Sequence, residues 1–179
     1  MRKLVEATFV SLDGVVEAPE KWALPFWAAE HRTHATTQLA NYDAFLFGRV
    51  TYEKFAAAWS RIEGDAYYDA VKRKPKFVAS RTLRDPAENV TVLDGDVAEA
   101  VRAVKQQPGR DIIKYGSGAL DRVLMAHRLI DEFQLWIFPL TVGAGARLFD
   151  GVPPALAPLS LTASHTFSNG VVQLIYALR

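Results

Sequence analysis

The chain of 179 residues contains no cysteine. That absence excludes disulfides, thiolate catalysis and cysteine-ligated zinc. Charge of one sign is also lacking: 21 Lys plus Arg stand against 20 Asp plus Glu, a formal net charge of +1. Such a balance gives no general attraction to nucleic acid or to an anionic membrane, and no basic stripe marks a nucleic-acid-binding face. Long apolar runs are missing as well, since none approaches the ~18 residues that span a bilayer. Glu6 falls where a signal peptide needs an apolar stretch, so a cytoplasmic protein is expected. There is no internal repeat, low-complexity tract or linker. The length suits one domain over residues 1–179, since domains commonly run ~100–200 residues.

What is present is a large supply of core: half the residues are hydrophobic. Residues 4–10 read as a buried strand running into the turn Ser11-Leu12-Asp13-Gly14. Two prolines mark 18–25 as a loop. Residues 26–39 have helical spacing, with Trp27, Glu30, His31, His34 and Gln38 on neighbouring positions. Residues 44–47 form a short apolar strand, followed by a helix over 51–59 and another, capped by Asp65, through Lys72. Strands are expected at 77–79 and 90–93. Asp96 caps a helix whose apolar stripe is Val97, Ala100, Val101 and Val104, and Pro108-Gly109 ends it. Residues 112–115 are a strand, and Leu120, Val123 and Leu124 give the next helix its buried face. Phe133, Leu135 and Ile137 alternate with Gln134 and Trp136 as in a strand. Residues 139–158, rich in Gly, Pro and Ala, read as a long loop. Two β-rich runs then flank Asn169-Gly170, a strong hairpin signal. The expected fold is α/β: a central, mostly parallel mixed sheet flanked by helices, with a C-terminal antiparallel hairpin.

Three short segments carry the chemistry. They are Gly48-Arg49-Val50-Thr51, Ser80-Arg81, and Tyr115-Gly116-Ser117-Gly118-Ala119-Leu120. Each follows a predicted strand, and the first and third lead into helices. Backbone N–H groups at such a turn attract anions, and Arg offers a planar fork to phosphate oxygens. Taken singly, each is an ordinary turn. In order, at three strand ends, they suggest one long polyanionic ligand lying across a sheet edge, and a dinucleotide such as NADPH fits.

These segments resemble the cofactor-binding segments of dihydrofolate reductases. A nearer match is the small bacterial dihydrofolate-reductase-like family, which shares its fold with the reductase domain of the bifunctional riboflavin-biosynthesis deaminase-reductase. Ser11-Leu12-Asp13-Gly14-Val15-Val16, Leu129-Ile130-Asp131-Glu132 and Val142-Gly143-Ala144-Gly145 with Leu148-Phe149 add to the likeness, which covers nearly the whole chain. The resemblance implies NADPH and hydride transfer to a pterin-like or riboflavin-precursor-like acceptor. It also implies roles. Gly48 allows close backbone approach, Arg49 and Thr51 hold phosphates, Ser80 and Arg81 meet the adenosine 2′-phosphate, and residues 116–120 set a helix N-terminus on the pyrophosphate. The absence of an acid immediately after Ser80-Arg81-Thr82-Leu83 favours the phosphorylated dinucleotide.

The chain departs from dihydrofolate reductases after the entry Trp22-Ala23-Leu24-Pro25. Trp27 stands where their substrate-anchoring carboxylate is expected, with Glu30 one turn further on. Indole accepts no hydrogen bond. Trp22, Trp27 and Glu30 are therefore candidates for a substrate pocket, and Asp13, Glu17 or water for the proton source. Asp13 has a plain alternative as a turn-former. His31 and His34 share a helix face three residues apart, too sparse a pattern to expect a metal. A homodimer is expected, since the related riboflavin-pathway domains are dimeric and Phe133, Trp136 and Phe138 put apolar side chains on both faces of one strand. The competing readings are a nucleotide-binding sensor or scaffold without catalysis, and a non-nucleotide structural protein on the same fold.

Overall fold

Apolar runs too short to be helices assemble into one eight-stranded sheet, and the amphipathic segments between them cover it. The computed structural model describes residues 1–151 and 158–178. Its strands are β1 (Leu4–Ser11), β2 (Tyr42–Gly48), β3 (Lys76–Ala79), β4 (Val90–Leu93), β5 (Asp111–Tyr115), β6 (Glu132–Phe138), β7 (Leu159–Thr166) and β8 (Val172–Leu178). Its helices are α1 (Ala29–Leu39), α2 (Arg49–Trp59), α3 (Ala66–Arg73), α4 (Val97–Gln106) and α5 (Ala119–Ala126). The sheet order is β4-β3-β2-β5-β1-β6-β8-β7. The first six strands are parallel; β8 runs antiparallel to both β6 and β7. The Asn169-Gly170 turn joins β7 to β8, as its sequence predicts, and the α/β architecture is the expected one. Part of the expected 139–158 loop, residues 152–157, lies outside the described residues.

The two faces of the sheet have separate cores. On one, Leu39, Phe45, Phe47, Val71 and Val78 are buried with Phe55 and Trp59 of α2 packed against them. On the other, Leu46, Val101, Val104, Ile112 and Leu124 pack under α4 and α5. Each such side chain contributes roughly 1.5–3 kcal/mol on burial. Asp65 and Asp96 cap α3 and α4, accepting from the backbone N–H of Tyr67 and of Glu99 at 3.0 Å each.

Three expectations are corrected. The helix read from residue 26 starts at Ala29; Leu24–Phe26 form a separate 3-10 turn, and Trp27 is extended at φ −78°, ψ 92°. Pro25 fits such a short first turn, and the extended Trp27 breaks the register before α1 begins. Val123 is 37% exposed, because the inward stripe of α5 is the i,i+4 pair Leu120 and Leu124. Phe133, Trp136 and Phe138 are buried within the chain itself, so they leave no apolar surface for a dimer.

The connections matter for function. β2 and β5 are neighbours, yet α2 leaves β2 over one face and α5 leaves β5 over the other. In open α/β sheets a crevice opens at the carboxyl ends of two such strands, and it is the usual ligand site.

Candidate functional site

That crevice brings together two of the three sequence segments. Gly48 is the N-cap of α2 and Gly118 the N-cap of α5, and neither end has a side-chain cap that bonds its first-turn N–H groups. A Cβ on Gly48 would lie 3.7 Å from Leu120 Cβ, and one on Gly116 would lie 3.6 Å from Thr51 Cγ2. The turns 48–51 and 116–120 therefore touch. Two helix N-termini converge on one cleft, which suits a pyrophosphate.

Arg49 is exposed and pairs with Glu53 one turn along, Nη1 to Oε1 at 3.1 Å. The third segment lies one strand further out, after β3. Ser80 Oγ accepts from the backbone N–H of Thr82 and Leu83 at 3.1 and 2.9 Å, which shapes the turn and leaves the Ser80 hydroxyl hydrogen free to donate. Arg81 is exposed beside it.

Beneath the glycine turn lies a group of charges that the sequence reading missed. Glu6 and Lys114 are register partners in the parallel β1–β5 ladder. Lys114 Nζ lies 3.0 Å from Glu6 Oε2 and 2.7 Å from Asp121 Oδ1, and all three side chains are buried. Lys114 Nζ also donates to Gly116 O, and Asp121 Oδ2 accepts from Gly118 N–H at 2.6 Å. The triad thus grips the turn at both ends. Two carboxyls share one ammonium, and burial, reinforced by the neighbouring Asp121 charge, pushes the Glu6 carboxyl well above its ordinary range despite Lys114. Lys114 itself is raised by the two acids, which outweigh its burial. The signal available in sequence was a charge in the middle of each of two strands buried on both faces.

Adjoining Gly116 is a cavity of about 240 Å³ with a strongly aromatic wall, including Trp27, Phe55, Trp59, Tyr67, Tyr115 and Trp136. The Tyr67 and Tyr115 hydroxyls pair at 2.9 Å. Burial pushes the Tyr67 phenol up to about 12 and also raises the Tyr115 phenol well above its ordinary range. Of the three substrate-pocket candidates only Trp27 lines this cavity. Trp22 packs on Phe138 and donates its indole N–H to Glu17 O at 2.9 Å. Glu30 accepts from Ser168 N–H at 3.1 Å, holding the β7–β8 turn to α1. His31 stacks on Phe167, and His34 lies 2.8 Å from Gln173 Oε1.

Asp13 closes the end of β1. Its carboxylate accepts from Ser11 Oγ at 2.6 Å and from the N–H groups of Val142 and Gly143 at 3.0 and 2.8 Å. The Ser11 bond, followed by the two backbone bonds, lowers Asp13 to about 2. It is ionised at neutral pH and has no proton to give. Glu17 Oε2 similarly accepts from Ala146 N–H at 2.9 Å, so both acids clasp the 142–146 loop. Because the folded pKa of Asp13 lies below its ordinary 3.8, its contribution is present above that value and lost as pH falls towards 2. Asp13→Asn is expected to flatten the decline in Tm between pH 5 and pH 2; an unchanged acid limb would show that the clasp adds no stability.

The sequence family of the RibD C-terminal domain matches residues 2–173. The chain belongs to the RibD C-terminal domain family. A curated relative, the uncharacterized protein YyaP of Bacillus subtilis strain 168, is 28% identical over 98% of this chain and 94% of its own length. Among solved structures, a Shewanella sp. PV-4 protein whose name suggests riboflavin biosynthesis superposes with a TM-score of 0.79 at 18% identity, covering 99% of both chains. The deaminase/5-amino-6-(5-phosphoribosylamino)uracil reductase of Thermotoga maritima gives 0.71 at 15% identity over 99% of this chain and 57% of its own. At these identities the two structures establish the fold. Membership of the RibD C-terminal family suggests a reductase-type activity. Among the described residues, no helix is long and apolar enough to cross a membrane and no cluster of His and acidic groups could hold a metal.

Proposed function

We propose that the protein is an NADPH-dependent reductase of a small heterocyclic acceptor. One observation carries this: the aromatic cavity shares Tyr115 and Gly116 with the paired glycine turns, so a dinucleotide phosphate held at the turns would end at the cavity. NADPH, when bound, supplies the hydride. The open N–H groups of α2 and α5 fit its pyrophosphate, and Gly48 permits close approach. Arg49 and Thr51 would hold phosphate oxygens. Arg49 would exchange Glu53 for phosphate at small cost, since an exposed i,i+4 pair is worth only about 0.3–0.5 kcal/mol. Ser80 and Arg81 would meet the 2′-phosphate. The aromatic wall excludes water from the reacting ring.

The single domain, a cytoplasmic location and the homodimer belong to the same proposal. Leu135 and Leu174 are register partners on β6 and β8, and with Ile137 and Tyr176 on the same face they are only half-buried. A second copy would cover them, which light scattering of the purified protein tests.

The function is tested by titrating NADPH and NADH against tryptophan fluorescence. NADPH is expected to bind tighter. Arg49→Ala and Arg81→Ala should each weaken NADPH about tenfold, or about 1.4 kcal/mol, and Arg81→Ala should leave NADH unchanged. No binding of either nucleotide would overturn the proposal. Binding without oxidation across an acceptor screen would favour the alternative, a nucleotide-binding sensor or scaffold.

A further inference from the structure

The aromatic cavity also carries a statement about what it accepts. We propose that it takes a flat, uncharged heterocycle with a ring N–H beside a carbonyl and without a phosphate group, a substrate class that rests on the reductase reading above.

The floor of the cavity is set by register. Tyr115 of β5, Ala7 of β1 and Gln134 of β6 are Cα partners across three adjacent parallel strands. Partners in a ladder point to the same face. Neighbouring strands lie about 4.8 Å apart, so Tyr115 and Gln134 flank the small Ala7 at a Cα separation of roughly 10 Å. All three line the cavity. A planar ring laid over the alanine would therefore meet a phenol on one side and a carboxamide on the other, between the indoles of Trp27 and Trp59.

The two flanking groups offer opposite hydrogen-bonding characters. The Tyr67–Tyr115 pair holds two hydroxyl hydrogens, and the mutual bond at 2.9 Å uses one. The other is a donor for a ring carbonyl. Gln134 spends its two amide hydrogens on Tyr42 Oη at 2.7 Å and Glu132 Oε1 at 3.0 Å. Its carbonyl oxygen remains as an acceptor for a ring N–H. A lactam edge presents that combination.

Charge decides against a phosphate. Among the described residues lining the cavity there is no Lys or Arg, and the one charged side chain is the carboxylate of Glu20, exposed on the 3-10 turn Pro19–Lys21. A phosphate there would meet like charge and no fork of donors. This separates the chain from the Thermotoga protein, which is named for a reductase of a phosphoribosylated uracil.

The test compares ligand pairs that differ by one phosphate: riboflavin against FMN, and 5-amino-6-(ribosylamino)uracil against its 5′-phosphate. Binding is read by calorimetry on the full chain, with and without saturating NADPH. The uncharged member of each pair is expected to bind at least about tenfold tighter. Gln134→Leu should weaken the uncharged members by about tenfold, the loss expected for a hydrogen bond to a ligand. Glu20→Lys, at the exposed mouth, should raise affinity for the phosphorylated members and narrow the preference. Equal or tighter binding of the phosphorylated members would overturn the proposal, as would failure of every uncharged ring to bind protein that binds NADPH. The reductase reading fails separately, by absence of NADPH binding whatever the rings do.

Discussion

Lys114→Met is expected to unfold the protein or leave it barely folded. The substitution keeps an unbranched side chain, one atom shorter, but leaves Glu6 and Asp121 facing each other in a site where both are buried. Removing one partner from a buried ionic group costs about 3–5 kcal/mol, a large part of the ~5–15 kcal/mol that holds a typical domain together. The control is Glu6→Gln, which keeps the shape of the protonated acid and is expected to fold. The pair also has a pH signature. The folded-state pKa of Glu6 is raised above its ordinary 4.5, so folding takes up a proton. Its contribution is complete below that value and lost as pH rises through the raised pKa. Urea denaturation from pH 4.5 upwards should show wild-type stability declining, and Glu6→Gln should remove that slope. Wild-type stability in Lys114→Met would mean that the triad is no part of what holds the turn.

That triad also shows where sequence reading stops. The strands were legible because apolar runs of four to eight residues have few other fates, and the hairpin because Asn-Gly favours the turn that strands need. The order of the three candidate phosphate-binding segments was legible because each follows a predicted strand, which puts them at one sheet edge. Their adjacency was not. It depends on β5 inserting between β2 and β1, a crossover that no local pattern encodes. Glu6 and Lys114 are single charges inside apolar strands, and only the β1–β5 register makes them partners. The cavity was less legible still: Phe55 and Trp59 come from α2, Tyr67 from α3, Tyr115 from β5 and Trp136 from β6, and each alone reads as core. Trp27 was within reach because it replaces an expected acid. Glu30 shares its segment but turns to Ser168 on the β7–β8 turn.

Gly116→Val is expected to abolish NADPH binding in a protein that still folds. Gly116 has φ +72°, a left-handed conformation that costs an L-residue about 1–2 kcal/mol and a β-branched one more. Its Cβ would be in ordinary contact with the Thr51 methyl at 3.6 Å, so the branched methyls have to push α2 away from the turn or enter the cavity. A loss of affinity in this variant alone would leave strain and ligand exclusion mixed. Gly48→Ala separates them. Gly48 has φ −78°, which alanine adopts freely, and its Cβ would sit 3.7 Å from Leu120 Cβ, an ordinary contact. Alanine is a poorer N-cap than glycine, so thermal unfolding should show a loss of only about 0.5–1 kcal/mol. Nothing in the packing of the chain forbids a methyl group there; only a ligand in the crevice does. NADPH affinity in Gly48→Ala is therefore expected to fall about 100-fold, or about 2.7 kcal/mol, with the fold intact. Wild-type affinity in that variant would move the phosphates out of the crevice between α2 and α5, and the reductase reading would lose the feature that orders it.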